Sequence, residues 1–290
     1  MQIDIAFILA AGMGTRMGEI GKKIPKPLWP VYQKTLLELQ VDFCREMGIN
    51  KIFINAHFMA KEIEAFLKGS EKFNGVELLI ENPLLDSGGA VHNLASCANV
   101  NYKGNVLLLN ADQFLFFEKN IYKEALKKLV GSRACLFGIS VPREAKYNEI
   151  KLESDKLVEI SKPIGNHDFV TYSGLGILKL DGLTPVVGIS KFFETVCNYK
   201  NEVVSVLVPE DFEYWDFGTA EIYLKSIAKI DDQLKSNKKS QFIDFLNRNF
   251  VFGERNNDFY NSSLNSVSLD SSGKFQSNSI SWKEMVQFVE

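Results

Sequence analysis

Two glycines, an arginine, a lysine and two aspartates are the residues of this chain best suited to chemistry. Gly12 and Gly14 follow directly on the apolar run Ile5–Ala11, and Arg16 comes two residues later. Glycine lets successive backbone N–H groups turn inward without a Cβ in the way, and inward amides make a nest for an anion. A guanidinium beside them adds a planar fork that suits phosphate. In "PKPL", Lys26 stands between Pro25 and Pro27. Each proline fixes its own φ and biases its predecessor to extended forms, so Lys26 is presented from a stiff segment. Asp112 closes the apolar run "NVLLLNAD", and Asp216 lies in "WDFGT". Carboxylates where strands or turns end can reach a hydrated hard cation that bridges phosphates.

Taken singly, each feature has a plainer reading. "GMG" alone fits an ordinary strand-to-helix turn, PKP a surface turn, and each aspartate a cap or turn. No Gly-Lys-Ser/Thr follows the glycines, so this is not a Walker loop, and the third glycine of a dinucleotide fingerprint is missing at Met17.

The elements that must position these residues read as alternating strands and helices. Strand-like runs lie at Ile5–Ala11, Lys51–Ala56, Val76–Glu81 and Asn105–Asp112. Between them, helical spacing covers Thr35–Gly48, with Gly48 as its stop, then Ala60–Gly69 and Gly89–Ala98. This order predicts an α/β fold with a mostly parallel sheet, helices on both faces, and a ligand crevice along one edge. Further strands are expected at Arg133–Val141, Asn148–Ser154, Leu157–Ser161, Tyr172–Leu180 and Val203–Pro209, and a long amphipathic helix at Thr219–Ser236. Beyond about residue 240 the chain turns rich in Ser and Asn. The expected division is a main domain, 1–238, and a small C-terminal extension, 239–290, read either as a tail or as a short irregular β-solenoid.

With 290 residues, 46% of them hydrophobic, the chain can bury one large core. A net charge of −3 gives no footprint for nucleic acid, so any anion site must be local. No apolar run is long enough for a membrane span, and the short apolar start lacks a basic lead, so it reads as a core strand and not a signal peptide. Cys44, Cys97, Cys135 and Cys197 sit among apolar neighbours, as free thiols of a cytoplasmic protein would. The three histidines form no metal-ligand spacing, and zinc is not expected.

"LAAGMGTRMGEIGKKIPKPL" resembles the opening motif of the sugar-phosphate nucleotidyltransferases. "INAHFMAKEIEAFL", "ENPLLDSGGAVHNL", "LLNADQF", "TYSGLGIL" and "WDFGTAEIYL" resemble later motifs of that family in the same order, over roughly residues 3–225. The resemblance implies a Rossmann-like, GT-A-like domain that joins a sugar 1-phosphate to an NTP and releases pyrophosphate. It implies that Leu9, Ala10, Ala11, Gly12, Gly14, Thr15 and Arg16 hold the triphosphate, with Gly88 and Gly89 at the base. It also implies that Arg16 and Lys26 are catalytic and that Asp112 and Asp216 hold Mg²⁺. Asn55, Lys162, Tyr172, Ser173 and Gly174 fall on the sugar-phosphate side. Ser161 stands where the family carries the glutamate that grips a sugar hydroxyl, which leaves the sugar open. UTP with an amino-sugar phosphate is the favoured pair. Guanylyl transfer to mannose 1-phosphate, cytidylyl transfer to an alcohol phosphate, and a non-catalytic nucleotide-sugar-binding role are the alternatives. The sequence leaves the oligomeric state open, a homo-oligomer included.

Overall fold

The computed structural model describes residues 2–17, 21–236 and 238–249, together with the backbone of two short strands near the C-terminus. A nine-stranded sheet runs through the middle, and β2 (Pro30–Val31) pairs antiparallel with β3 (Lys34–Thr35) outside it. The first half of the large sheet is built as the alternation predicts: β1 (Ile5–Leu9) lies between β4 (Ile52–Ala56) and β6 (Asn105–Asn110), and β5 (Val76–Ile80) lies outside β4, all in parallel. Three helices cross between them: α1 (Leu36–Glu46), α2 (Ala60–Lys68) and α3 (Asp86–Ser96).

The other half holds β8 (Ala134–Val141), β9 (Glu149–Glu153), β10 (Lys156–Ser161), β11 (Phe169–Lys179) and β12 (Val204–Leu207). β11 is inserted antiparallel between β6 and β8, and β10 is antiparallel to both β12 and β9, so the sheet is mixed around a mostly parallel core.

Alternation along the strands decides which face each side chain enters. Ala6 and Ile8 join one apolar core while Ile5 and Phe7 join the other, and β6 splits in the same way. α1 and α2 contribute to the first core and α3 to the second, so both faces are covered. α1 starts where the sequence places it. Thr35 accepts from the Glu38 N–H at 3.1 Å while the Glu38 carboxylate accepts from the Thr35 N–H at 2.7 Å, a reciprocal cap.

Several expectations need correction. The strand expected to run to Asp112 ends at Asn110; the chain bends and starts β7, Gln113–Phe116. β7 leaves the large sheet and pairs antiparallel with β13 (Glu213–Asp216) as a two-stranded ribbon. The helix expected from Gly89 begins at Asp86, which puts both glycines inside it. Helix α4 (Lys119–Lys128) and the short α5 (Phe192–Thr195) were not foreseen.

Past the expected boundary at 238/239 the chain continues into a further helix. After α6 (Ala220–Ser236), helix α7 (Gln241–Arg248) packs Phe242, Ile243, Phe245 and Leu246 into the first core, against Phe114 and Trp215 of the ribbon. Glu213 ties its start: that carboxylate accepts from the Gln241 N–H at 2.6 Å and from the Ser240 hydroxyl. The remainder of the expected extension lies outside the described residues, except for an antiparallel pair of strands, β14 (Ser268–Leu269) and β15 (Phe275–Gln276).

Candidate active site

The carboxyl ends of β1, β4 and β6 open onto a cleft of about 340 Å³. Leu9, Ala10, Ala11, Gly12, Arg16 and Lys26 form one side of it, with Asn55 and Asp112 also in its lining. Gly12 is exposed, and a Cβ there would meet nothing within 4 Å, so its backbone faces open space at the mouth. Gly14 takes φ +61, which L side chains rarely adopt, and its carbonyl accepts the Met17 N–H at 2.9 Å. Thr15–Met17 is thereby wound into a single 3-10 turn; Met17 is buried and Arg16 is left exposed beside the cleft.

Lys26 opens a second 3-10 turn, Lys26–Leu28, in which Pro25 holds φ −64 and Pro27 and Leu28 are buried. Trp29, fully buried, packs edge-on against Tyr223 of α6 with centroids 5.1 Å apart, and the Tyr223 hydroxyl donates to Pro30 O at 2.6 Å. The stiff presentation read from the prolines is thus locked from below by α6. The Lys26 ammonium forms an ion pair with Asp112.

Asp112 occupies the bend between β6 and β7, and the ribbon brings Asp216 to it. Asp216 is in register with Gln113, and the Phe217 N–H donates to Asp112 O at 2.9 Å. One carboxylate oxygen of Asp216 accepts from the Tyr147 hydroxyl at 2.6 Å and the other from the Gly218 N–H at 2.7 Å. A Cβ at Gly218 would stand 2.8 Å from Asp216 Oδ1 and 3.3 Å from Asp112 Oδ2, so the two acids converge on space that a side chain would fill. Burial raises the pKa of Asp216, and the Asp112 charge adds to this, while the Tyr147 hydroxyl acts the other way. A buried and a half-buried carboxylate that share this space suit a hard cation with oxygen ligands. Among the described residues, no group of three or more His, Cys, Asp or Glu is placed to hold a metal.

Not every expected site residue is brought here. Gly88 and Gly89 are buried in α3, and added Cβ atoms would meet the backbone of Ser190 and Gly188 at 2.5 and 2.4 Å. These glycines let the helix pack against the loop before α5 and do not face the cleft; Asp86 and Ser87 line it instead. Tyr172 stacks on Phe192, centroids 6.1 Å apart, at the second core. Ser173 is 2% exposed and donates to Phe137 O at 2.7 Å. Gly174, at φ +85, lies beneath the Asn110 and Gln113 side chains. The register of β11 against β8 shifts between Tyr172 and Gly176, and none of Tyr172, Ser173 and Gly174 lines this cleft. Lys162 is exposed after β10, outside the lining of this cleft.

Asn55 does line the cleft, as a brace. Its carbonyl accepts the Ala10 N–H at 2.6 Å, and its amide donates to Glu81 at 2.7 Å. Glu81 was overlooked. It is 2% exposed, lines the cleft, and also accepts the Leu85 N–H at 2.9 Å. An acid closing the apolar run "VELLIE" is the same sequence signal that marks Asp112. Tyr147 carried no such signal, because its partner lies 69 residues away.

The family model described as Nucleotidyl transferase matches residues 5–162, and the chain belongs to that family. Among curated relatives, a D-glycero-alpha-D-manno-heptose 1-phosphate guanylyltransferase of Campylobacter jejuni is 26% identical over 224 residues, 75% of this chain and 96% of the relative. A choline-phosphate cytidylyltransferase of Streptococcus pneumoniae is 36% identical over 124 residues, 42% of this chain and half of the relative. Among solved structures, HddC from Yersinia pseudotuberculosis complexed with GMP-PN superposes with a TM-score of 0.65 at 22% identity, covering 78% of this chain and 99% of that one. The expected fold is thereby shown, and the relatives are sugar-1-phosphate nucleotidyltransferases and similar enzymes. Among the described residues, no helix is long and apolar enough to cross a membrane.

Proposed function

We propose that the chain transfers a nucleotidyl group from an NTP to a sugar 1-phosphate and releases pyrophosphate. A phosphate oxygen of the sugar attacks the α-phosphorus and forms the new P–O bond. The bond from that phosphorus to the β-bridging oxygen breaks, and pyrophosphate leaves with the electron pair. The nucleophile needs no general base, because a phosphate monoester has a second pKa of about 6. The difficulty is to hold two polyanions in line, since unit charges about 4 Å apart interact by roughly 4 kcal/mol at an effective dielectric of 20.

The observation that carries this reading is the convergence of Lys26, Asp112 and Asp216 at the edge that also presents the glycine turn. Backbone N–H groups at Ala11–Gly14 are the donors for the triphosphate. Arg16 neutralises the departing pyrophosphate. Lys26, held on its rigid turn, serves the α-phosphate and the incoming phosphate. Asp112 and Asp216 are the residues that would hold Mg²⁺, and Gly218 leaves room between them. When bound, such a cation supplies positive charge to the phosphates and helps to align them.

Likeness to the guanylyltransferase that is matched over nearly its whole length supports GTP as donor, and a shorter match, 40% identical over 73 residues, to a UTP--glucose-1-phosphate uridylyltransferase supports UTP. The test is pyrophosphate release from purified protein with Mg²⁺, using each NTP against a panel of sugar 1-phosphates, with phosphocholine as the alcohol-phosphate control. Turnover with one pair is the expected result. Absence of turnover across the panel, with nucleotide still bound, would favour a non-catalytic binding role.

A further inference from the structure

Gln40 is an exception on its helix. Leu36, Leu37, Leu39, Val41 and Phe43 of α1 are all buried apolar residues, and Gln40 among them is 1% exposed. Its amide crosses to the bend between β6 and β7 and donates to Asn110 O at 2.9 Å and to Gln113 O at 2.7 Å. A primary amide has two N–H donors, and both are used. Its own carbonyl, Oε1, is buried with no hydrogen-bond partner. An unpaired buried acceptor is a standing cost, which an apolar side chain on α1 would avoid.

The two carbonyls bracket Ala111 and Asp112. The same bend is held elsewhere by the Ala111 N–H on Leu9 O at 3.0 Å and the Phe217 N–H on Asp112 O at 2.9 Å. Gln40 is its tie to α1. We infer that Gln40 is a positioning residue for Asp112: by holding the carbonyls on either side of it, the amide fixes the direction in which the Asp112 carboxylate leaves the bend. The inference rests on the role proposed above for Asp112. It accounts for the exposed-type side chain on an apolar helix face and for its unpaired oxygen, because the two donors are what the site uses.

The test uses the full chain with Gln40→Met, which keeps length and bulk but removes both donors, and Asp112→Asn as the reference. Groups that hold a metal ligand in position typically contribute about 10- to 100-fold in metal affinity or activity. Gln40→Met is expected to lower kcat by about that factor, to leave KM for the nucleotide within about threefold, and to weaken Mn²⁺ binding in the nucleotide complex, read by electron paramagnetic resonance without the acceptor. A variant that melts lower but keeps normal kcat and Mn²⁺ binding would overturn the inference and leave Gln40 a packing residue. Where Gln40→Met does not fold, Gln40→Glu preserves the shape and is read in the same way. Failure of both to fold would make Gln40 a determinant of the fold and would also overturn it. If Asp112→Asn keeps full activity, the reading of the site fails. If Asp112→Asn is inactive while Gln40→Met is normal, only the inference on Gln40 fails.

Discussion

Gly174→Ala separates a residue that lines a sugar pocket from one that supports the aspartate bend. Gly174 sits at φ +85, where an L residue is strained by roughly 1–2 kcal/mol. The new Cβ would fall 2.4 Å from both Asn110 Nδ2 and Gln113 Oε1, atoms that hydrogen-bond to each other at 2.6 Å. They must move apart, which forfeits a bond worth about 1 kcal/mol net. The sum is a loss of about 2–3 kcal/mol, and for a chain of this size each kcal/mol moves Tm by about 2–4 °C, so a fall of about 4–12 °C is expected. Turnover should fall as well, since Asn110 and Gln113 flank the bend that carries Asp112. The measurements are a thermal melt and steady-state kinetics on one preparation. Adding Asn110→Ala to Gly174→Ala removes one side of the clash and should recover part of the loss, with a coupling of about 1 kcal/mol or more. An unchanged Tm with a raised KM for the sugar phosphate would refute the reasoning and return Gly174 to the pocket wall.

Lys26→Ala should cut kcat by at least about 100-fold, the scale of a lost charge-stabilising donor; near-normal turnover would remove Lys26 from the mechanism. Asp216→Asn should lose activity yet raise Tm at pH 7 in chelator. The sign follows from burial. The folded-state pKa lies above the ordinary carboxylate value, so the folded protein binds more protons in the window between them, and the cost is fully present at neutral pH and relieved as pH falls through that window. The Tm gap between variant and parent should therefore close on acidification, and a gap that widens would contradict it. Phe242→Ala empties a fully buried site against Trp215 and Phe114 and should cost about 3–5 kcal/mol by denaturant titration. A loss under about 1 kcal/mol would mean that α7 is not part of the core.

The first half of the fold was legible because its signals are local. Apolar runs at strand spacing and the glycine stop at Gly48 each report on a few neighbouring residues. The glycine turn and the proline-braced lysine were legible for the same reason, since φ preferences belong to the residues themselves. The surroundings of Gly88 and Gly89 were not legible, because glycine signals closeness to something without naming it; here the neighbour is the backbone at residues 188–191. The setting of Tyr172, Ser173 and Gly174 was not legible, because no local pattern announces the register shift of β11.

Turn chemistry and hydrophobic period by themselves determined an α/β sheet whose first strand runs into a glycine turn, with a proline-braced lysine further on. Tertiary structure alone decided that Asp112 and Asp216 share one space, that Tyr147 and Gln40 serve them, and that α7 belongs to the core. The reason is sequence separation. Asp112 meets Asp216 through a two-stranded ribbon whose partners lie about one hundred residues apart, and that pairing is set by packing against α7 and the sheet, which no window along the chain contains.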